Sequence, residues 1–325
     1  MKRRNALQTL GALPLAAALP AARAQTYPSK PVWIDVAFAA GNTLDTALRQ
    51  VAEMFSKNTG QTLLINNKPG GSGIIAAQTV MAAPPDGYTL LLASTSMFAI
   101  NPHTFSKLPY DPEKSFRPVT NFLGASLVMA VNNNVPASNI KEFVAWAKSR
   151  PGRVSFASFT AGNSSHFAGV ILNERAGIDM LHVPFNGTPP AVTALLGDQV
   201  DVAFLPLQAV KSYVSAGRVK VLAVTSPQRS PLMPQIATFR EQGYPDLEIY
   251  IWSAIVAPAG TPDAVIGKLN TEFVKILRSA EIKEKWKAFD FEPLPSTPQE
   301  FTRFWQAESK RWAEAVKISG FKATE

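Results

Sequence analysis

Short apolar runs alternate with helix-like stretches along most of the chain, and this alternation constrains the fold more than any other feature of the sequence. Strands are predicted at 31–36, 62–65, 88–93, 154–157, 181–185, 201–205 and 219–224. The run at 88–93 is almost continuously apolar, which is typical of a parallel sheet covered on both faces. The pattern therefore predicts an α/β fold with mixed, mostly parallel sheets flanked by helices.

The 325 residues are enough for two domains. Two further apolar runs, at 122–131 and 247–256, separate the first set of strands from the second and are predicted to carry the chain from one domain to the other and back. We therefore predict a first domain made of residues 25–124 plus 249–325 and a second domain made of residues 125–248. Two crossings imply a hinge between them.

Helix ends are marked by local signals. Thr188 precedes Pro189 and is predicted to cap a helix that ends just before Gly197. The run Thr297–Glu300 predicts a capping box for the last helix, whose apolar stripe is expected to pack on the first domain. That stripe consists of Phe301, Phe304, Trp305 and Trp312.

The first 24 residues have the layout of a signal peptide. Lys2, Arg3 and Arg4 precede an Ala/Leu-rich stretch that ends in Ala22-Arg23-Ala24, so cleavage is expected after Ala24. The export route is left open between the general secretory and the twin-arginine pathways, and an uncleaved anchor is the alternative. Export of a chain with no cysteine is compatible with a periplasmic location.

Charge and cysteine content exclude several functions. Removal of the signal peptide lowers the net charge from +8 to about +4, and the basic residues are scattered, so no nucleic-acid-binding patch is predicted. The absence of cysteine excludes disulfides, thiolate metal sites and a cysteine nucleophile.

The stretch 36–45 joins the first strand to the first helix. Asn42 or Thr43 can cap that helix, Asp45 lies in its first turn, and small residues around Gly41 allow a ligand to approach the main chain. Backbone N–H groups at such a helix end bind anions without a basic side chain. A second loop at 156–166 has the same character, because it is rich in Gly, Ser, Thr and Asn and contains no Lys or Arg. Together the loops are expected to form the two walls of a ligand-binding cleft at the carboxyl ends of the strands.

Other chemistries fit the sequence less well. The run Gly71–Ala76 matches a dinucleotide-binding pattern, but it does not follow the first strand and no acidic residue lies about 20 residues further on. Ser165 and His166 are neighbours on a helix and point to different faces, and no Gly-x-Ser-x-Gly elbow is present. The three histidines lack metal-ligand spacing, so neither a metal nor a cofactor is predicted.

Seven segments, taken in order, resemble the tripartite tricarboxylate transporter receptor family, also called the Bug proteins. These segments are 38–45, 67–73, 85–91, 162–166, 182–187, 197–201 and 257–262. The resemblance implies a periplasmic solute-binding protein with the two-domain, type II (Venus-flytrap) fold. It also implies that the ligand is a small organic acid or amino acid, whose carboxylate is held by main-chain groups and bridging waters. The first loop departs from the family pattern, because Ala37 replaces a proline and Asn42 replaces the second of two glycines.

The resemblance also assigns roles to residues. Phe38 is expected to form a wall of the site, and the amides of Ala40, Gly41, Asn42 and Thr43 are expected to face the ligand carboxylate. Asp45 either stabilises the loop or receives a ligand ammonium group, and His166 either makes local structural hydrogen bonds or contacts the ligand. Hydroxyls, amides and the floor of the site are expected from Ser94, Thr95, Ser96, Gly162, Asn163, Ser164, Ser165, Phe185, Asn186 and Asp201.

These expectations describe a monomeric receptor with no catalytic step, which closes on its solute and passes it to membrane permease subunits. Two alternatives stay open at this point. One is an exported serine hydrolase that uses Ser164 or Ser165 with His166, and the other is a solute sensor that acts through a signalling partner.

Overall fold

The computed structural model of the chain describes residues 27–38, 40–41 and 43–323, together with the backbone but not the side chain of Thr43. The predicted signal peptide and Asn42 lie outside these residues. Ten strands are described: β1 Val32–Val36, β2 Leu63–Asn67, β3 Thr89–Ser94, β4 Phe116–Asn132, β5 Val154–Ser158, β6 Met180–Pro184, β7 Val202–Pro206, β8 Val219–Val224, β9 Tyr250–Pro258 and β10 Phe291–Pro293.

Eleven α-helices occur within the described residues: α1 Thr43–Thr59, α2 Ile74–Met81, α3 Asn101–Thr104, α4 Pro112–Ser115, α5 Ile140–Lys148, α6 Ser164–Ala176, α7 Thr188–Leu196, α8 Leu207–Ser215, α9 Asp263–Leu277, α10 Ala280–Lys287 and α11 Pro298–Ser319. In this part of the chain, none of the helices has both the length and the apolar character needed to cross a bilayer.

The strands form two groups that share β4. In the first group the order is β2-β1-β3-β9-β4-β10, with β1 parallel to β2 and β3. In the second group β5 is parallel to β6 and β7, and β4 lies between β7 and β8. The sheets are therefore mixed, because the strands that connect the groups pair antiparallel with their neighbours. The predicted α/β class is confirmed, and the division into two domains stays a prediction.

Strand β4 carries the chain from the first group to the second. Its first part, Phe116–Ser126, pairs with β9, and its second part, from Leu127, pairs with β7 and β8. The buried hydroxyl of Thr225 joins this strand to the returning chain, because it accepts from Leu127 N at 2.8 Å and donates to Ile249 O at 2.7 Å. One side chain thus connects both crossing segments at the predicted hinge.

Helix α11 begins with the predicted capping box, in which Thr297 and Glu300 exchange hydrogen bonds. Its apolar stripe packs on the first strand group, where packing was expected, and also reaches the second. Trp305 Nε1 donates to Phe98 O at 2.9 Å beyond β3, whereas Trp312 packs against Phe167 of α6. The predicted cap at Thr188 is wrong, because α7 begins at Thr188 itself and Gly187, with φ of 109°, occupies the N-cap position.

Candidate functional site

The first loop is held by the carboxylate of Asp45, which is 4% exposed. Its oxygens accept from Gly41 N at 3.0 Å, Arg49 Nε at 2.9 Å and Asn67 Nδ2 at 3.2 Å. Burial by itself would raise the pKa of Asp45, but the hydrogen bonds from Arg49, Gly41 and Asn67 outweigh it and hold the pKa below its ordinary value. Asp45 is therefore ionised and fixes the turn between β1 and α1. The Gly41 N–H donates to its carboxylate and is not available to a ligand.

Neighbouring turns support this loop. Asn67, at the end of β2, also donates to Phe38 O at 3.0 Å, which places the half-buried Phe38 beside the loop. Gly73 has φ of 87°, and a Cβ there would lie 2.6 Å from Met97 Cγ and 3.3 Å from Ala37 Cβ. A side chain at position 73 would have no room, which explains the glycine. The contact places the turns that follow β1, β2 and β3 next to one another.

The hydroxyls predicted after β3 differ in their surroundings. Thr95 is buried, and its hydroxyl bonds to the backbone of β9, accepting from Trp252 N at 2.7 Å and donating to Trp252 O at 3.0 Å. Ser94 and Ser96 are half-buried, and Ser94 Oγ accepts from Met97 N at 3.4 Å. Thr95 therefore positions the turn, whereas the two serines lie closer to the solvent.

The second loop ends in the N-cap of α6. Asn163 Oδ1 accepts from Ser165 N at 3.0 Å, His166 N at 3.2 Å and Ser165 Oγ at 2.8 Å, while Ser165 Oγ accepts from Phe159 N at 3.1 Å. Asn163, Ser164, Ser165 and His166 are all buried. Ser165 is not hydrogen-bonded to His166, so the arrangement gives no support to a Ser165–His166 nucleophile and base.

Two imidazoles stack behind this loop, His166 from α6 and His182 from β6, with centroids 3.8 Å apart. His166 Nδ1 accepts from Gly162 N at 3.1 Å, and His182 Nε2 lies 2.7 Å from Ser158 Oγ. Burial lowers the pKa of His166 to about 4, with a smaller contribution from His182, and burial lowers the pKa of His182 to about 4. Both rings are therefore neutral at pH 7. The role of His182 was not predicted from the sequence.

The turn after β6 is fixed beside the second loop, because Phe185 N donates to Ser158 O at 2.9 Å and Gly187 N donates to Phe159 O at 2.8 Å. Phe185 is half-buried and Asn186 is exposed. Asp201 is placed differently from the expectation. It precedes β7, and its carboxylate accepts from Ser155 N at 2.8 Å near the start of β5. Strands β5 and β7 are parallel, and Asp201 lies before the start of β7, whereas the second loop follows the end of β5. Asp201 and the loop therefore lie at opposite ends of these strands, and the structure does not bring Asp201 to the site.

Both loops contain main-chain N–H groups that can donate hydrogen bonds to a ligand. Within the described residues, no acceptor is present for the N–H groups of Ala40, Thr160, Ala161, Asn163 and Ser164. Side-chain acceptors in the loops are used internally, so an anion is the species these N–H groups suit. The described residues contain no group of three or more His, Asp or Glu side chains arranged to hold a metal ion.

A sequence profile described as "Tripartite tricarboxylate transporter family receptor" matches residues 47–321. The chain belongs to this family. The receptor is 32% identical over 326 residues to a UPF0065 protein of Bordetella pertussis, with 99% of each chain covered. The resemblance seen in the sequence is thereby confirmed, and the family is one of solute-binding receptors.

Solved structures agree in fold with the receptor. The structure "R. palustris Rpa4515 with adipate" is 29% identical with a TM-score of 0.84, covering 91% of this chain and 99% of that chain. The structure of MatC from Rhodopseudomonas palustris with bound malate is 28% identical with a TM-score of 0.78, covering 89% and 100%. The receptor thus has the fold of the periplasmic binding proteins of this family, as predicted.

Proposed function

We propose that this receptor captures a small carboxylate-bearing solute, an organic acid or an amino acid, between the loops 36–45 and 158–166. The observation that carries the proposal is that both loops contain described backbone N–H groups without a protein acceptor, next to helix N-termini and without Lys or Arg in either loop. The bound adipate and malate of two similar receptors support it, because both are dicarboxylates and each can use one carboxylate per loop.

The remaining predictions belong to the same proposal. Residues 25–124 plus 249–325 and residues 125–248 form two domains, and the solute stabilises their closed arrangement because it contacts both loops only there. The chain is exported to the periplasm by its first 24 residues, acts as a monomer and delivers its solute to permease subunits of a tripartite tricarboxylate-type transporter. Export and delivery are tested by cellular fractionation and by uptake of the solute in cells lacking the receptor.

The binding site is tested by calorimetric titration of the mature chain with adipate, malate, citrate and amino acids. The variants Ala40→Asp and Ala161→Asp each place a carboxylate on an exposed loop position next to the proposed anion site. We expect each to weaken binding of the best acid by about tenfold or more, because like charges meet in a partly enclosed site. Ala280→Asp is the matched control, since Ala280 is exposed at the start of α10, away from both loops.

Three results of these titrations would contradict the proposal. Equal weakening by all three substitutions would show a general effect of charge and would contradict a site at the loops. Unchanged affinity in both loop variants, with melting temperatures like that of the parent chain, would also contradict it. If no acid or amino acid binds after the purified chain has been unfolded and refolded to remove a retained ligand, the carboxylate proposal fails.

A further inference from the structure

The proposed function leaves organic acids and amino acids as equal candidates, and the surroundings of Asp45 distinguish between them. In the described residues of the loops 36–45 and 158–166, Asp45 is the one carboxylate. A carboxylate is the strongest acceptor for a ligand ammonium group, and the nearby alternative, Asp35 in β1, is 2% exposed, bonded to Asn66 and paired with Lys68 at 3.5 Å. The availability of Asp45 therefore decides whether an amino group is tolerated.

Asp45 has no acceptor capacity left for a ligand. Oδ2 accepts from Gly41 N and Arg49 Nε, at 3.0 and 2.9 Å, and Oδ1 accepts from Arg49 Nη2 and Asn67 Nδ2, at 3.3 and 3.2 Å. A carboxylate offers about four acceptor positions, so these four contacts occupy it. The pair with Arg49 is two-pronged, which is the strong form of this interaction. An ammonium group would have to displace at least one of these donors.

The charge at the first loop also disfavours an ammonium group. Arg49 neutralises Asp45, and its own side chain is 55% exposed whereas that of Asp45 is 3% exposed, so the pair offers no exposed negative charge to an ammonium group. The N-terminus of α1 adds a partial positive charge. A carboxylate gains from this partial charge, whereas an ammonium group is repelled by it.

We propose that this receptor selects organic acids that lack an amino group, and that the Asp45–Arg49 pair is the specificity-determining element. The inference rests on the proposed function. In this arrangement Arg49 is a positioning residue: it withdraws Asp45 from the ligand and leaves the loop with N–H donors only.

The experiment uses ligand pairs that differ by one amino group. Malate is compared with aspartate, and adipate with 2-aminoadipate, by calorimetric titration of the mature chain. In the parent chain we expect whichever acid binds to do so at least about tenfold more tightly than its amino counterpart. Equal or tighter binding of the amino counterpart overturns the inference while leaving the proposed function in place. Absence of binding by all four compounds counts against the proposed function itself.

The Arg49→Met variant tests the mechanism. It removes two donors and the positive charge and keeps a long helix-compatible side chain, so two acceptor positions of Asp45 are released. We expect the preference for the acid over its amino counterpart to fall by about tenfold. Lys57→Met is the matched control, because Lys57 pairs with Glu53 across one turn of the same helix, at 2.7 Å. The control is expected to keep the parent preference.

Arg49→Gln provides a second route if the methionine variant fails to fold, since glutamine can keep one hydrogen bond to Asp45 without the charge. A folded Arg49 variant that keeps the parent preference overturns the role assigned to the pair. So does an equal loss of preference in Lys57→Met, because that result would show a general charge effect of helix α1.

Discussion

Acidification from pH 7 to pH 5 should destabilise the receptor through the stacked pair His166 and His182. Protonation of His166 places a proton on Nδ1, where Gly162 N already donates, and puts a charge 3.8 Å from the neighbouring ring. The unfolded chain accepts these protons near pH 6.5, whereas the folded chain resists them until about pH 4. The unfolded state thus binds more protons across this interval, so the free energy of unfolding falls as the pH falls.

The size of the effect follows from the two pKa values. For His166, a pKa of about 4 instead of 6.5 corresponds to about 2 kcal/mol lost between pH 7 and pH 5. His182 is half-buried, so solvent screening reduces its share to about 1 kcal/mol. The pair should therefore cost roughly 3 kcal/mol over an interval that lies above the ordinary pKa values of Asp and Glu.

Urea unfolding at half-unit steps from pH 7 to pH 5 measures this loss. In His182→Phe the ring stack with Phe156 and His166 is kept while one titrating group and the repulsion are removed, so the loss should be smaller by about 1 kcal/mol. His103→Gln is the control, because His103 lies on α3 and bonds to Ser309. Its variant should keep most of the acid-induced loss. A parent chain whose stability changes by less than about 1 kcal/mol, or a His182→Phe loss equal to that of the parent, would refute the reasoning.

Three further substitutions test the fold by urea unfolding at pH 7. Thr225→Val leaves a buried N–H and a buried C=O without their partner and should cost about 2–4 kcal/mol, and a cost below about 1 kcal/mol would contradict the hinge role. Gly162→Ala places a Cβ 2.4 Å from Phe321 at φ of 71° and should cost about 1–3 kcal/mol, part of which Phe321→Ala restores; no restoration would show that backbone strain alone is responsible. Thr297→Ala removes the cap of α11 and should cost about 1 kcal/mol, and the exposed change Thr271→Ala within α9 serves for comparison.

Much of the fold could be predicted because local patterns and tertiary packing agree. Where they disagree, the prediction failed. The apolar run that begins at 122 did not include the start of β4 at Phe116, where Pro118 lies beside a register shift in the β4–β9 pairing, a place where a strand tolerates proline. Helix α10 was missed because it is short and is fixed by distant contacts, such as Trp286 Nε1 to Gln50 Oε1 at 3.0 Å. Neither the register shift in β4 nor the distant contacts of α10 leave a periodic signal in the sequence.

In the site, too, local features could be predicted from the sequence, whereas features that depend on distant contacts could not. The start of α6 at Ser164 was predictable from local residues, but Asn163 was expected to contact the ligand, whereas its side chain caps this helix. The hydroxyl of Thr95 was expected to face the ligand, but its partner is the backbone of Trp252, which is 157 residues away. The stack of His166 on His182 depends on the packing of α6 against β6, and Asp201 was misplaced because the direction of its strand was not considered.

These corrections share a physical cause that bears on specificity. The polar side chains that sequence motifs emphasise, Asp45, Thr95, Asn163 and Ser165, are buried and bond to protein groups, either in their own loops or, for Thr95, in the backbone of β9. Unpaired buried polar groups are costly, so such side chains stabilise loop shape before they can serve a ligand. The ligand is then left with main-chain N–H groups, which recognise a carboxylate wherever it lies on the solute. Under the proposed function, discrimination among acids falls to exposed or half-exposed positions around the loops and to the charge that Arg49 presents. Substitutions at the buried polar residues should therefore lower stability and affinity together, whereas substitutions at Ala40 or Ala161 should change affinity alone.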